Sequence, residues 1–283
     1  DYFSRFGAAI KRGVGREGFQ TLWDPGVRCP PRWGSGGGND MLSQWIYADP
    51  EPMAVAGSAE EVLAMCAGRP GQKPVIHTQL MCYSRRVAPP EVTVSPRPAW
   101  QDRFGGGKFI ATPADVVCEA TWLMFAKPMY GYSFYPFTCM VETPATWYPC
   151  SDPRLGPMMR HLLKDVLAPL GPVLKRLGRA DPEVAVFESF TSVALGAPFA
   201  MGWNAPPVTF MQRANLDPKV VYEETLERDG FGNLKVVFAP NCRYLTPKLV
   251  RLFRDFQAKG GVLVGDGELL KALKAEEKMF GTN

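Results

Sequence analysis

Two histidines in 283 residues leave little material for imidazole chemistry. The seven cysteines, Cys29, Cys66, Cys82, Cys118, Cys139, Cys150 and Cys242, form no C-x-x-C pair and have no histidine cluster beside them, so no metal site is expected. No apolar run approaches the roughly 20 residues that cross a bilayer. The 32 basic and 28 acidic residues are dispersed and leave a net charge of only +4, so neither a nucleic-acid nor a membrane partner is indicated. Gly36-Gly37-Gly38 and Gly105-Gly106-Gly107 lack a following Lys-Ser/Thr, which excludes a phosphate cradle and leaves flexible loops as the expectation. Gly265-Asp266-Gly267 is a dinucleotide fingerprint without its third glycine and does not follow the first strand of its sheet. No cofactor is therefore expected. The 27 prolines and 28 glycines are plentiful, but so are aliphatic and aromatic residues, which points to long irregular loops rather than disorder.

What is present is clearest between Lys235 and Asp266. Lys235 to Ala239 is a short apolar run of the kind buried on both faces of a parallel sheet. Thr246 can cap a helix, and Pro247 suits its first position, where a missing N–H costs nothing. Leu249, Leu252, Phe253 and Phe256 then form one apolar stripe, Gly260 and Gly261 stop the helix, and Val262 to Val264 supply the next strand. A right-handed crossover makes the two strands parallel.

The first 150 residues repeat a related rhythm of apolar run, loop and helical pattern. Strands are expected at Phe19 to Trp23, Met41 to Tyr47, Val75 to Met81 and Tyr130 to Phe137. Helices are expected at Ser58 to Ala67, capped by Ser58 with Glu60 and Glu61 in the first turn, and at Pro113 to Phe125, capped by Thr112. Pro157 to Leu177 reads as helix interrupted by Pro169, Gly171 and Pro172. Strands resume at Val184 to Phe187 and Lys219 to Tyr222, with a short helix before Ala214. Cys66 and Cys118 read as core, and a bridge between Cys139 and Cys150 is left open.

Pro240, Leu245, Thr246, Phe256, Gly260 and Gly261, with the Trp23-Asp24, Trp45-Ile46-Tyr47 and Trp122 segments, resemble the family 42 β-galactosidases and their relatives. Those glycoside hydrolases join a (β/α)8 barrel to a domain like class I glutamine amidotransferases. The resemblance implies an α/β chain: residues 1–156 as the second half of a TIM-type barrel, 157–181 as linking helices, and 182–283 as a small doubly wound, flavodoxin-like parallel sheet. The chain, which begins without Met, would then be a segment of a longer polypeptide, with its compartment open. Two readings of function follow: a glycoside hydrolase acting on carbohydrate, or a carbohydrate-binding or oligomerisation protein with a degenerate site. The partner would be carbohydrate, with a second copy or a further segment completing the barrel.

Retaining enzymes of that clan use two glutamates about 5 Å apart, one after the fourth strand and one at the end of the seventh. The first falls outside this sequence under the resemblance, and the seventh strand, Val75 to Met81, carries no carboxylate. Gln79 has no anionic oxygen with which to capture an oxocarbenium-like centre. Asp24, at a strand's carboxyl end, is the candidate catalytic carboxylate, with a turn-forming Asp-Pro as the alternative. Tyr47, Asp49, His77, Gln79 and Tyr135 are the candidate substrate-binding residues. His77 and Gln79 share one face of a strand, tyrosines offer stacking surfaces to sugars, and Asp49 reads equally as a solvated turn. Trp45 and Tyr132 read as core as readily as site, Asp40 as structural and His161 as surface. The amidotransferase nucleophile position falls on Asp266, no histidine follows it, and Cys242 sits in an earlier loop, so amide hydrolysis is excluded.

Overall fold

The computed structural model describes residues 2–24, 33–44, 52–82, 110–141, 152–174, 176, 181–195 and 205–274. The chain is α/β, and its two four-stranded sheets are parallel. The helices are α1 (Tyr2–Val14), α2 (Pro52–Cys66), α3 (Ala114–Phe125), α4 (Leu155–Arg160), α5 (Ala168–Leu174), α6 (Phe190–Leu195), α7 (Ala205–Arg213), α8 (Glu223–Asp229), α9 (Pro247–Ala258) and α10 (Gly267–Lys274). The strands are β1 (Leu22–Trp23), β2 (Met41–Leu42), β3 (Lys73–Gln79), β4 (Met81–Cys82), β5 (Ile110–Ala111), β6 (Gly131–Tyr135), β7 (Val184–Glu188), β8 (Lys219–Tyr222), β9 (Val236–Ala239) and β10 (Val262–Gly265). Two compact units result, one of residues 1–42, 60–72 and 180–283, the other of residues 43–59 and 73–179.

In the first unit the parallel order β10-β9-β7-β8 is the doubly wound arrangement expected. The Thr246 hydroxyl accepts from Leu249 N at 3.2 Å and Pro247 opens α9, as the sequence predicts. Gly260 takes φ +91°, which an L side chain resists, and the helix ends there. Leu249, Phe253 and Phe256 of α9 are buried with Phe187 and Val237 of the sheet. Phe253 meets Phe187 edge-on with ring centroids 5.2 Å apart. β1 pairs with β2 in parallel, and Asp40 ties this pair to α1: its carboxylate accepts from Lys11 Nζ at 2.6 Å and from Thr21 N at 2.8 Å. Asp40 is thus structural, as read.

Three expectations need correction. Ser58 does not cap a helix, because α2 already starts at Pro52. Proline is at ease in a helix's first turn, and Met53 to Ala56 continue it, so Ser58 is internal. Glu60 and Glu61 are consequently buried rather than solvated in a first turn. Gly36 and Gly37 are not a loose loop but a tight turn with φ +84° and +56°, closed by Asn39 Nδ2 donating to Gly36 O at 2.6 Å. A Cβ on Gly36 would lie 2.9 Å from the Trp23 ring, so the close approach requires glycine. The turn is anchored further by Gly34 N donating to Met65 O at 2.8 Å. Arg228 of α8 donates to Ala67 O at 3.0 Å and lies 5.4 Å from the centre of the Trp33 ring.

In the second unit β3 pairs in parallel with β6, and β4 with β5 antiparallel. The core joins Leu80, Met81 and Ala111 to Val117 of α3, Cys139, and Leu155, Met159 and Leu162 from the helix that follows. α3 begins at Ala114, so Pro113 rather than Thr112 holds its cap position. The prolines of the linking stretch do not break it: α4 and α5 are joined through a π turn, His161–Leu167. Pro169 would press its ring on the carbonyl four residues earlier, at Asp165, and the widened turn makes room there. His161 is exposed beside Asp165, as expected.

Candidate functional site

Alternation along β3 places His77 and Gln79 on one face and Ile76 and Thr78 on the other. The second face carries α3: Thr78 Oγ1 donates to Met124 Sδ at 3.0 Å, and Tyr132 of β6 packs edge-on against Phe125 at 4.9 Å. His77 and Gln79 therefore point away from that helix. The parallel register sets His77 opposite Ser133 and Gln79 opposite Tyr135. The His77 and Tyr135 rings stand 6.0 Å apart, tilted by 40°. Three of the residues singled out in the sequence are thus brought together at the carboxyl end of one strand pair. Tyr132 belongs to the opposite, helix-covered face.

This face is polar and uncharged. His77 and Gln79 are buried, and Tyr135 is half-buried. Burial lowers the His77 pKa to about 4, so its imidazole is neutral at physiological pH, with one ring nitrogen a donor and the other an acceptor. An amide, a neutral imidazole and a phenol can exchange hydrogen bonds with hydroxyl groups; none of them is an anionic nucleophile.

Asp24 follows β1 at its carboxyl end and is half-buried, in the other compact unit. Tyr47 and Asp49, with Trp45, lie outside the described residues, as does Cys150. Among the described residues no group of three or more His, Cys, Asp and Glu side chains could hold a metal ion. No described helix is long and apolar enough to cross a membrane.

Two carboxylates escaped the sequence reading. Asp152 is fully buried and takes Arg154 in a paired contact, with Nη2 at 2.7 Å and Nε at 3.1 Å. Its neighbours in sequence, Ser151 and Pro153, look like an ordinary turn, and nothing in them signals burial. The other is Glu223, at the start of α8. Its Oε1 accepts from Ser189 Oγ at 2.7 Å, at the point where β7 ends. Ser189 Oγ also accepts from Ser192 N at 3.0 Å and lies 2.9 Å from Ser192 Oγ. Ser192 Oγ in turn accepts from Tyr244 N at 2.9 Å and donates to Tyr244 O at 3.1 Å. Because β8 and β9 flank β7 on opposite sides, this is the switch point where open α/β sheets bind ligands. Here the loop after β9 occupies that place, with Cys242 and Leu245 buried in the core. The Cys242 thiol is pushed far up by burial, then by Asp266 and Glu223, so it is not a thiolate nucleophile. Asp266 accepts from Asn241 N at 2.8 Å and from the backbone N–H groups of Glu268 and Leu269, capping α10.

The sequence matches no protein-family model and no curated protein. Among solved structures, the fold is similar to a cold-adapted β-galactosidase from Rahnella sp. R3, with TM-score 0.60 and 14% identity over 93% of this chain and 38% of that one. It is similar also to the β-galactosidase of the psychrophilic Marinomonas ef1, with TM-score 0.51 and 12% identity, covering 93% of this chain and 42% of that one. A β-galactosidase of the Antarctic haloarchaeon Halorubrum lacusprofundi gives TM-score 0.51 and 12% identity, covering 94% and 41%. The chain therefore shares the fold of part of these structures and spans about two fifths of their length.

Proposed function

We propose that this chain is part of a glycoside-hydrolase-like protein acting on carbohydrate, in the manner of the β-galactosidases whose fold it resembles. Residues 1–156 are read as the carboxyl-terminal half of a barrel, 157–181 as linking helices and 182–283 as an amidotransferase-like accessory domain. The observation that carries the proposal is the uncharged polar face of His77, Gln79 and Tyr135 at the carboxyl end of β3 and β6, the end where such barrels bind substrate. In this reading these three side chains, with Tyr47 and Asp49, bind sugar hydroxyls. Asp24 acts as acid/base or orients water.

The second reading, a carbohydrate-binding or oligomerisation protein without turnover, draws support from one feature: the strand read as the barrel's seventh, Val75 to Met81, carries no carboxylate. The two readings are separated by assaying the polypeptide that carries this chain on aryl β-glycosides and oligosaccharides. Hydrolysis that falls at least a hundredfold in Asp24→Asn supports the first, and unchanged activity in that variant removes Asp24 from the mechanism. Calorimetric sugar binding without turnover supports the second. Neither binding nor turnover across the panel refutes both.

A further inference from the structure

We propose that Ser189, Ser192 and Glu223 form a proton-governed latch that holds the loop Pro240 to Thr246 over the carboxyl end of β7 and β9. The inference does not rest on the carbohydrate reading. Its basis is the placement of donors and acceptors around Ser189. Ser192 Oγ takes both backbone groups of Tyr244, while Ser189 Oγ lies 2.9 Å from Ser192 Oγ, 3.3 Å from Tyr244 O and 2.7 Å from Glu223 Oε1. A serine hydroxyl has a single proton to give. When Glu223 is ionised, its carboxylate takes that proton, since a charge-assisted bond is the stronger one. When Glu223 is neutral, it donates to Ser189 Oγ instead, and the Ser189 proton turns to Ser192 Oγ at 2.9 Å or to Tyr244 O at 3.3 Å, both part of the contact that holds the loop. Protonation thus moves the Ser189 proton from Glu223 onto the serine–Tyr244 contacts.

The surroundings set the direction. Glu223 is buried, and burial raises its pKa; the side-chain hydrogen bonds from Ser189 and Thr191 oppose this, and Glu224 on the same helix adds to it by repulsion. From the loop after β9 it is faced by Cys242, whose raised pKa keeps it neutral, and beyond Cys242 lies Asp266 after β10. Tyr222, the preceding residue, is likewise held neutral by burial, then by Glu188, Glu61 and Glu224. A group with a raised folded-state pKa stabilises below its ordinary value and loses that contribution as pH rises through the raised one. The latch is therefore closed in acid and loosens as Glu223 ionises, when water entering beneath the loop is the nearest means of hydrating the charge.

Hydrogen exchange of the polypeptide that carries this chain, between pH 5 and 8 and corrected for intrinsic exchange rates, tests this on the peptide spanning residues 240–246. Protection in the unaltered chain is expected to fall several-fold as pH rises. In Glu223→Gln it stays at the acid level throughout, and in Ser192→Ala it is low at every pH while β9 remains protected. An unaltered chain with flat protection, or a Glu223→Gln chain with the original pH dependence, overturns the latch. So does a Glu223→Gln chain that does not fold, because a neutral group at this position is what the closed state requires.

Discussion

The carboxyl ends of two parallel strand pairs receive opposite treatment in this chain. At β3 and β6 the polar side chains His77, Gln79 and Tyr135 share a face turned away from the covering helix. At β7 and β9 the polar groups Ser189 and Ser192 are used to bond the chain's own loop. Both ends belong to the same kind of sheet, so topology offers each as a ligand site, and side-chain chemistry decides which is consumed by the fold. At β7 and β9 that chemistry is two serine hydroxyls bonded to the backbone of Tyr244.

Four substitutions test that difference, with hydrogen exchange reporting the regions 73–135 and 184–265 separately. The largest effect is expected from Phe253→Ala. This side chain is fully buried against Phe187 and Phe231, and its removal should cost about 3–5 kcal/mol, lowering protection across 184–265. His77→Gln comes next. With its pKa lowered to about 4 against an ordinary 6.5, His77 contributes stability fully above about pH 6.5 and loses it as pH falls toward 4. Urea unfolding of the His77→Gln chain should show a flatter pH profile in that window, and an unchanged acid limb would mean that this imidazole is not buried and neutral. Thr246→Ala should lose about 1 kcal/mol by removing the cap of α9, read as a shift in urea midpoint. Smallest is Lys248→Ala, which breaks an exposed pair with Glu227 at 3.1 Å and should change stability by less than about 0.5 kcal/mol.

The sequence was most legible where local chemistry and tertiary need coincide. Thr246, Pro247, the apolar stripe and Gly260 each announce a helix boundary by themselves, and β8 has the bounds expected of it. It was least legible where burial depends on distant partners. Glu60 and Glu61 look like first-turn acids, yet they are buried because the helix begins a turn and a half earlier. The helix α8 was not expected, since its seven residues are too few to show a repeating apolar stripe. Of the site, strand alternation alone put His77 and Gln79 on one face. The ring of Tyr135 beside them required the register of β6, which periodicity does not fix. The serine contacts with Tyr244 span 52 residues and carry no local signal at all.

The π turn at His161–Leu167 acts on the helix as a phase shift in a wave. Leu155 and Met159 before it and Leu162 at its start keep time with the core; after it Leu170 and Val173 arrive out of step and emerge at the surface. An α-helical wheel drawn through the whole stretch would mix these two sets. Removing a single residue within the turn should advance the second half by about 100°, so that one deletion, rather than any change of side chain, would redirect every apolar residue beyond it.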